Sequence, residues 1–312
     1  MSYPKVIFMG TPDFAVPCLD MLIEQGYNVT TVVTQPDRPK GRGQKLAFSP
    51  VKARALEHRL NILQPENIKE TATITELIAL QPDLIVVVAF GQFLPKTLLD
   101  LPRLGCVNVH ASLLPCYRGA APIHWAIING EKTTGITTMY MDIGMDTGDM
   151  ILKAETPITP TDTTGQLHDT LSVLGAKVLK ETISLLLTGK APRMVQPKEL
   201  ATYAPLLTRD IEKINWNNSA EQINNLIRGL NPWPGAYCRS NDKNLKVWES
   251  RVSDTMTNGQ PGKVHKITPS GIIVETGHGL VELLTVQPEN KRRMGGRDFA
   301  SGYGLNSEEY LS

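Results

Sequence analysis

The stretch NVHASLLPCYRGAAP, residues 108–122, sets an amide, an imidazole and a hydroxyl at alternate positions: Asn108, His110 and Ser112. Side chains two apart on a strand share a face. The three would therefore project together from a strand end, ahead of a loop built of prolines and glycines. An amide can donate to an oxyanion as it forms, and an imidazole can carry a proton near neutrality. A third group must set the charge of that imidazole. GITTMYMDIGMDTGDM, residues 135–150, offers Asp142, Asp146 and Asp149 among glycines that allow close backbone approach. Together these groups suit transfer of an acyl group to an amine. Each taken singly has a plainer reading: a structural histidine at a strand end, an asparagine capping a turn, solvated acids in a turn.

Other chemistries find less support. No H-x-x-H or H-E-x-x-H spacing accompanies His110, so no metal site is expected. Ser112 lacks the G-x-S-x-G setting of a nucleophilic serine, and Cys106 and Cys116 show no activating partner. MGTPDFA follows a strand without forming G-x-G-x-x-G, which argues against a nicotinamide-dependent dehydrogenase. The four cysteines, at 18, 106, 116 and 238, form no C-x-x-C pair and suit a reducing compartment.

Positioning such a site needs a scaffold, and 312 residues suffice for two ordinary domains. Apolar content of 41% and charged content of 20% are those of a soluble globular protein. A net charge of +1 gives no whole-molecule attraction to nucleic acid or anionic lipid. The N-terminus lacks the pattern of a signal peptide, and the apolar run LIVVVAF at 84–90 is too short to cross a bilayer. A cytoplasmic protein without membrane contact is expected.

Up to about residue 189 the chain alternates buried-strand runs with helical stretches. KVIFMG precedes FAVPCLDMLIEQG, NVTTVVTQ precedes SPVKARALEHR, and PDLIVVVAF precedes GQFLPKTLLD. Strands apolar on both faces and spaced by helices predict a doubly wound, mostly parallel, Rossmann-like α/β domain over 1–189. Ligands bind such sheets beyond the carboxyl ends of the strands. Residues 190–208, with three prolines and little periodicity, read as a linker. From 209 to 312 one helix, SAEQINNLIRGL, is followed by short strands divided by turn residues, which predicts a small antiparallel, OB-like β-barrel.

The segment from Asn108 to Ile151 closely resembles the formyltetrahydrofolate-dependent formyltransferases, whose signature runs N-x-H-x-S-x-L-P with a downstream D-x-G. Over essentially its whole length the chain resembles the methionyl-tRNA formyltransferases of that family. VIFMGTPDFAVPCLDML, TQPDRPKGRGQKL and LNPWPGAY match the first strand and helix, an inserted loop and the C-terminal domain in order. The resemblance implies 10-formyltetrahydrofolate as co-substrate, with no metal, and initiator methionyl-tRNA as partner, the enzyme acting as a monomer. Asn108, His110 and Asp146 match the catalytic trio. Ser112, Leu113, Leu114 and Pro115 match the loop that contacts folate, and Gly91, Gln92, Leu94 and Asp142 fall where relatives hold the pterin. A sugar or nucleotide amine as acceptor, or hydrolysis of the formyl donor, would use the same trio. A non-catalytic RNA-binding protein would need none of it.

Residues 34–54 favour the tRNA reading. Arg38, Lys40, Arg42, Lys45, Lys52 and Arg54 stand against Asp37 alone, a local excess of five charges in a nearly neutral chain. Composition alone would fit a solvated basic loop. The resemblance makes the segment a finger that enters the acceptor stem, with Arg42 first in recognition, Lys40 and Lys45 on phosphates and Arg38 beside them. Residues 209–312 carry 13 basic and 12 acidic side chains, so any positive face there, from 290–297 with Lys243, Lys246, Lys263 and Lys266, is local. Leu206 stands where relatives commonly carry a linker lysine.

Overall fold

The computed structural model of the chain describes residues 4–40, 45–253 and 259–312. The chain opens with β1 (Lys5–Gly10), buried from Val6 onward, and a 3-10 turn (Asp13–Ala15) leads into α1 (Val16–Glu24). Then follow β2 (Asn28–Val33), a hairpin of β3 (Arg38–Lys40) and β4 (Lys45–Ala47), and α2 (Pro50–Glu57). The Ser49 hydroxyl caps α2 by accepting from the Lys52 N–H at 3.0 Å, and Pro50 fills the first helical position, as the sequence Ser-Pro predicts. Next come β5 (Ile62–Leu63), α3 (Thr71–Ala79), β6 (Leu84–Val88), α4 (Lys96–Leu99) and β7 (Cys106–His110). Beyond β7 lie β8 (Arg118–Gly119), α5 (Pro122–Ile128), β9 (Thr133–Tyr140), β10 (Met150–Pro157) and α6 (Thr164–Leu187).

Seven of these strands form one sheet in the order β10-β9-β7-β6-β1-β2-β5. The pairs β1–β2, β1–β6, β2–β5 and β6–β7 are parallel, which bears out a Rossmann-like sheet. At its other side the sheet is mixed, because β9 runs antiparallel to β7. Every residue of β6 is buried, as expected where both faces are covered. On one face Ile7, Met9, Ile85, Val87 and Cys106 share a core with Ile68, Leu77 and Leu98. On the other face Gly175 of α6 lies so close to β7 that a Cβ there would stand 3.1 Å from Cγ1 of Val109. Because Asn108 pairs in register with Val87, Asn108 and His110 belong to the first of these faces.

After α6, β11 (Tyr203–Ala204) pairs with β8. Then come α7 (Arg209–Glu212) and α8 (Ala220–Gly229), the latter opened by a reciprocal Ser219–Gln222 capping box. The rest comprises β12 (Ala236–Ser240), β13 (Lys243–Ser253), β14 (Val264–Ile267), β15 (Ile272–Glu275), β16 (Leu280–Pro288), β17 (Met294–Gly295) and α9 (Gly296–Tyr303). These strands build a separate antiparallel sheet, ordered β12-β13-β16-β15-β14 with β17 beside β16. Ile223 and Ile227 of α8 share its core with Val247, Val274, Val281 and Leu283.

The chain groups into two compact units that no single cut separates. One comprises residues 1–120, 134–156 and 168–204, the other 121–133, 157–167 and 205–312. The stretch expected as a linker from 190 onward therefore belongs to the first unit as far as Ala204. It is bound there by backbone hydrogen bonds, from Met150 N–H to Met194 O at 2.9 Å and from Arg118 N–H to Thr202 O at 2.9 Å. Among the described residues no helix is long and apolar enough to cross a membrane.

Candidate active site

β6 and β7 are parallel neighbours, so their carboxyl ends open on the same edge of the sheet. That edge presents His110 and the residues after Val88. His110 is 6% exposed, Asn108 is half-buried, and among the described residues no group is paired with the Asn108 carboxamide. Nε2 of His110 lies 3.0 Å from the carbonyl oxygen of Tyr117. A carbonyl only accepts, so in this geometry Nε2 carries a proton. Nδ1 is then the exchangeable position, and it lies 3.6 Å from Oδ2 of Asp146.

Bringing Asp146 there is a problem of topology. β9 passes His110 at Thr137 and ends at Tyr140, opposite Val107 in register, three residues and roughly 10 Å beyond it at about 3.3 Å per residue. The loop 141–149 must double back along β7. Asp146 makes the reversal in the left-handed region, at φ +53°, which an aspartate tolerates better than most side chains. Oδ1 of Asp142 accepts from the Gly144 N–H at 3.0 Å and the Thr147 hydroxyl at 2.6 Å, closing the loop on itself. Gly148 lies so near the strand that a Cβ would stand 1.8 Å from the Tyr140 carbonyl oxygen. Arg193 stacks over the Tyr140 ring at 3.8 Å and meets Asp149 at 3.4 Å.

Oδ2 of Asp146 also accepts the Gly119 N–H at 2.8 Å. Gly119 has φ +120°, and a Cβ there would lie 2.7 Å from the Ala204 carbonyl oxygen. Only glycine fits both constraints. The Gln196 amide donates to the carbonyl oxygens of Asp146 and Gly148, both at 2.8 Å, and accepts from Nε and Nη2 of Arg118 at 3.0 and 2.7 Å.

The remaining residues singled out by sequence fall as follows. Ser112 is buried, and its hydroxyl donates to the Cys116 carbonyl at 2.6 Å, so it does not project beside His110. Leu114 is fully buried with Met139 and Met150, Pro115 is buried, and Leu113 is half-buried. Thr137 fastens this turn, donating to Ser112 O at 2.7 Å and accepting from Leu114 N–H at 3.1 Å. Gly91 has φ +88°, with no atom nearer than 3.9 Å to the position of a Cβ, so the backbone there is open to approach. Gln92 uses its side chain on the 65–68 segment, accepting from Ile68 N–H and donating to Pro65 O, while Leu94 lies in the core. Asp142 is exposed and organises its own loop. Burial pushes the Cys106 thiol up to about 12, with Asp100 adding to the effect, which leaves it inert as a nucleophile.

In the basic stretch, Arg38 is exposed on the hairpin. Arg42, foremost of the RNA-contacting residues expected from sequence, lies outside the described residues, as do the side chains of Lys40 and Lys45. Lys52 pairs with Asp37 and lies 4.2 Å over the Phe48 ring, and Arg54 pairs with Asp20 and Glu57 at 3.0 and 2.7 Å. Hydrogen bonds from Lys52 and Gln64 hold the Asp37 carboxyl below its usual range. Two of the six cations counted from sequence are thus neutralised within the fold.

Sequence reasoning missed the Tyr117 carbonyl, the Gly119 N–H, Thr137, Arg118 and Gln196. Tyr117 and Gly119 act through their backbone, which side-chain chemistry does not advertise, and Gln196 sits between prolines in a stretch without periodicity.

Comparison with known proteins identifies the family. The family described as formyl transferase matches residues 4–183, and formyl transferase, C-terminal domain, matches residues 206–304. The methionyl-tRNA formyltransferase of Bacillus subtilis (strain 168) is 52% identical over 308 residues, covering 98% of this chain and 97% of its own. Among solved structures, WlaRD, a sugar 3N-formyl transferase determined in the presence of dTDP and 5-N-formyl-THF, superposes with a TM-score of 0.67. It is 20% identical, and the match covers 94% of this chain and all of that one. HypX from Aquifex aeolicus in complex with tetrahydrofolic acid has a TM-score of 0.65 at 14% identity, over 97% of this chain and 48% of that larger protein. Two family matches in the right order, and half of all positions shared with a relative of equal length, settle the kinship: this chain belongs to the formyl transferase family, among its methionyl-tRNA formyltransferases.

Proposed function

We propose that the chain transfers the formyl group of 10-formyltetrahydrofolate to the α-amine of methionine carried on initiator tRNA. One observation carries the chemistry: His110 is held between the Tyr117 carbonyl and the Asp146 carboxylate, next but one on its strand to an Asn108 amide that has no partner among the described residues. Relatives of equal length and about half identity, named methionyl-tRNA formyltransferase, support the acceptor.

The reaction follows from these groups. The amine lone pair attacks the formyl carbon, and the carbonyl electrons move to oxygen. Asn108 donates to the oxyanion from its amide, a contact that strengthens as charge develops. The amine proton passes to Nδ1 of His110, directly or through water, and the Asp146 carboxylate steadies the resulting imidazolium. Collapse of the tetrahedral intermediate expels the folate nitrogen, which takes up a proton. Formyl-folate is already an activated donor, so the protein supplies position and electrostatics. The open backbone at Gly91 and the half-buried Leu113, both beyond carboxyl ends of adjacent strands, suit a flat heterocycle approaching the sheet edge. Leu114 and Pro115 would support that wall from beneath.

The surface around the exposed Arg38 of β3 and the C-terminal sheet are the surfaces we assign to tRNA. We read that sheet as an OB-like barrel, and the enzyme as a cytoplasmic monomer. The test is incubation with charged initiator tRNA and 10-formyltetrahydrofolate, followed by detection of formylmethionine after hydrolysis of the ester. Absence of formylmethionine, with the protein folded and both substrates intact, rejects the assignment.

A further inference from the structure

We propose that Gln196 is a positioning residue for formyl transfer, whose side-chain amide, locked by Arg118, fixes the backbone around Asp146 so that its carboxylate faces Nδ1 of His110. The inference rests on the assignment of His110 and Asp146 to the reaction made above.

Gln196 is 4% exposed, and its hydrogen-bonding capacity is filled. Its carbonyl accepts two hydrogen bonds from Arg118, and its amino group donates one each to the carbonyls of Asp146 and Gly148. A guanidinium only donates and a backbone carbonyl only accepts, so the amide has one possible orientation. The two anchored carbonyls flank the turn that begins at the left-handed Asp146. A disfavoured backbone conformation persists only where its surroundings over-determine it, and here the loop is held from outside by the Gln196 amide.

Arg118 makes the clamp rigid. It is 4% exposed, and among the described residues it has no carboxylate within ion-pairing distance. A buried cation facing one neutral amide polarises it, which strengthens donation from the far end of the same amide. Arg118 also lies between Tyr117, whose carbonyl accepts the hydrogen bond from Nε2 of His110, and Gly119, whose N–H donates to Asp146. The clamp therefore ties the loop that carries the acid to the loop that orients the imidazole. Pairing of β11 with β8, together with the hydrogen bond from the Tyr117 N–H to the Thr202 hydroxyl at 2.9 Å, fixes the second loop to the stretch that carries Gln196. Residues that composition marks as a linker thus complete the catalytic geometry.

Gln196→Glu separates donor from acceptor: the carboxylate still accepts from Arg118 but can no longer donate to the two carbonyls. The expected result is a fall in kcat of about 10–100-fold, the scale of a roughly 1 Å misplacement, with KM for tRNA and for formyl-folate within about twofold. In an Asp146→Asn background the same change should produce no further fall, since residues acting through one group are not additive. Multiplicative losses, or a loss confined to KM, overturn the proposal. Should Gln196→Glu fail to fold, Arg118→Met with Gln196→Met removes both polar partners and leaves no buried charge, and the same non-additivity is expected. Hydrogen exchange of residues 141–149 in the unliganded protein reads the clamp without reference to any reaction. Faster exchange in the variant supports the clamp even if wild-type protein transfers no formyl group, and unchanged exchange rejects it.

Discussion

Oδ2 of Asp146 stands 3.6 Å from Nδ1 of His110 and accepts the Gly119 N–H at 2.8 Å, so one carboxylate oxygen serves both the imidazole and the loop beside it. Its lone pairs are oriented by a backbone donor that does not titrate. The acid therefore keeps its aim whether or not the imidazole is protonated. Replacement by asparagine keeps the shape and an oxygen for Gly119 but removes the charge that steadies the imidazolium. Asp146→Asn should lower kcat about 10²–10⁴-fold, with tRNA binding and melting temperature close to wild type. Steady-state kinetics with charged initiator tRNA, set beside filter binding, checks this. A rise in KM alone would contradict the role.

Asn108→Ala tests the oxyanion donor. The carboxamide is half-buried and has no partner among the described residues, so its loss removes no structural hydrogen bond. The expected outcome is a fall of about 10²–10³-fold in kcat with stability nearly unchanged. A variant that is both inactive and unstable would place Asn108 in the scaffold instead.

Much of this arrangement was legible in the sequence, and the parts that were not share a cause. The apolar runs KVIFMG and LIVVV announced β1 and β6 because strands covered on both faces have no polar alternation to obscure them. Ser49-Pro50 marked the start of α2 through capping chemistry confined to neighbouring residues. The alternate spacing of Asn108 and His110 located the sheet edge. Ser112 continued that alternation in sequence, but the strand ends at His110 and the next residues turn back, which sends the hydroxyl to Cys116 O. The antiparallel direction of β9 escaped because a strand's residue pattern reads alike in either direction. The clamp on Asp146 escaped because Gln196 lies fifty positions from the group it serves. Two-residue strands such as β8 and β11 leave no periodic signal at all.

Gly119→Ala would force a side chain into a left-handed position and against the Ala204 carbonyl oxygen. Strain of this kind costs about 1–3 kcal/mol, and relief requires the 118–120 segment to move away from Asp146. A lower melting temperature together with reduced kcat is expected. Alanine tolerated with full activity would show that the close approach is dispensable.

Glu282 gives the C-terminal sheet a dependence on acid. Burial alone would raise its carboxyl, but hydrogen bonds from Ser270, Thr268 and Arg251 outweigh it and hold the group below the usual carboxylate range. A value depressed by folding contributes stability that is present above the unfolded value of about 4.3 and is lost as pH falls through the folded one. Thermal melts should therefore show the C-terminal sheet weakening below about pH 4.3, and Glu282→Gln should flatten that part of the profile. At pH 7 the glutamine should cost about 1–3 kcal/mol, since it can no longer accept from all three donors. Arg251 is 61% exposed in its side chain and returns to water, which keeps the loss from being larger. An unaltered acid limb in the variant would remove Glu282 as its source.

The basic stretch predicts an asymmetry that its composition hides. Arg38 is exposed on β3, whereas Arg54 is tied to Asp20 and Glu57 and Lys52 to Asp37. A cation already paired within the fold releases few counterions when RNA arrives, while an exposed one contributes fully. Arg38→Ala should raise KM for tRNA and lower the slope of its logarithm against the logarithm of salt by about 0.7–0.9, the share of one phosphate contact. Arg42→Ala should raise KM for tRNA further, because a guanidinium can also read base edges through its paired donors. Neither change should alter kcat at saturating tRNA or KM for formyl-folate. Arg54→Ala should leave the salt slope unchanged and lower the melting temperature instead, since it breaks the Asp20 ion pair that joins α2 to α1. Salt titrations of KM for the three variants decide the matter: equal slopes would mean that the whole stretch acts as an undifferentiated positive surface.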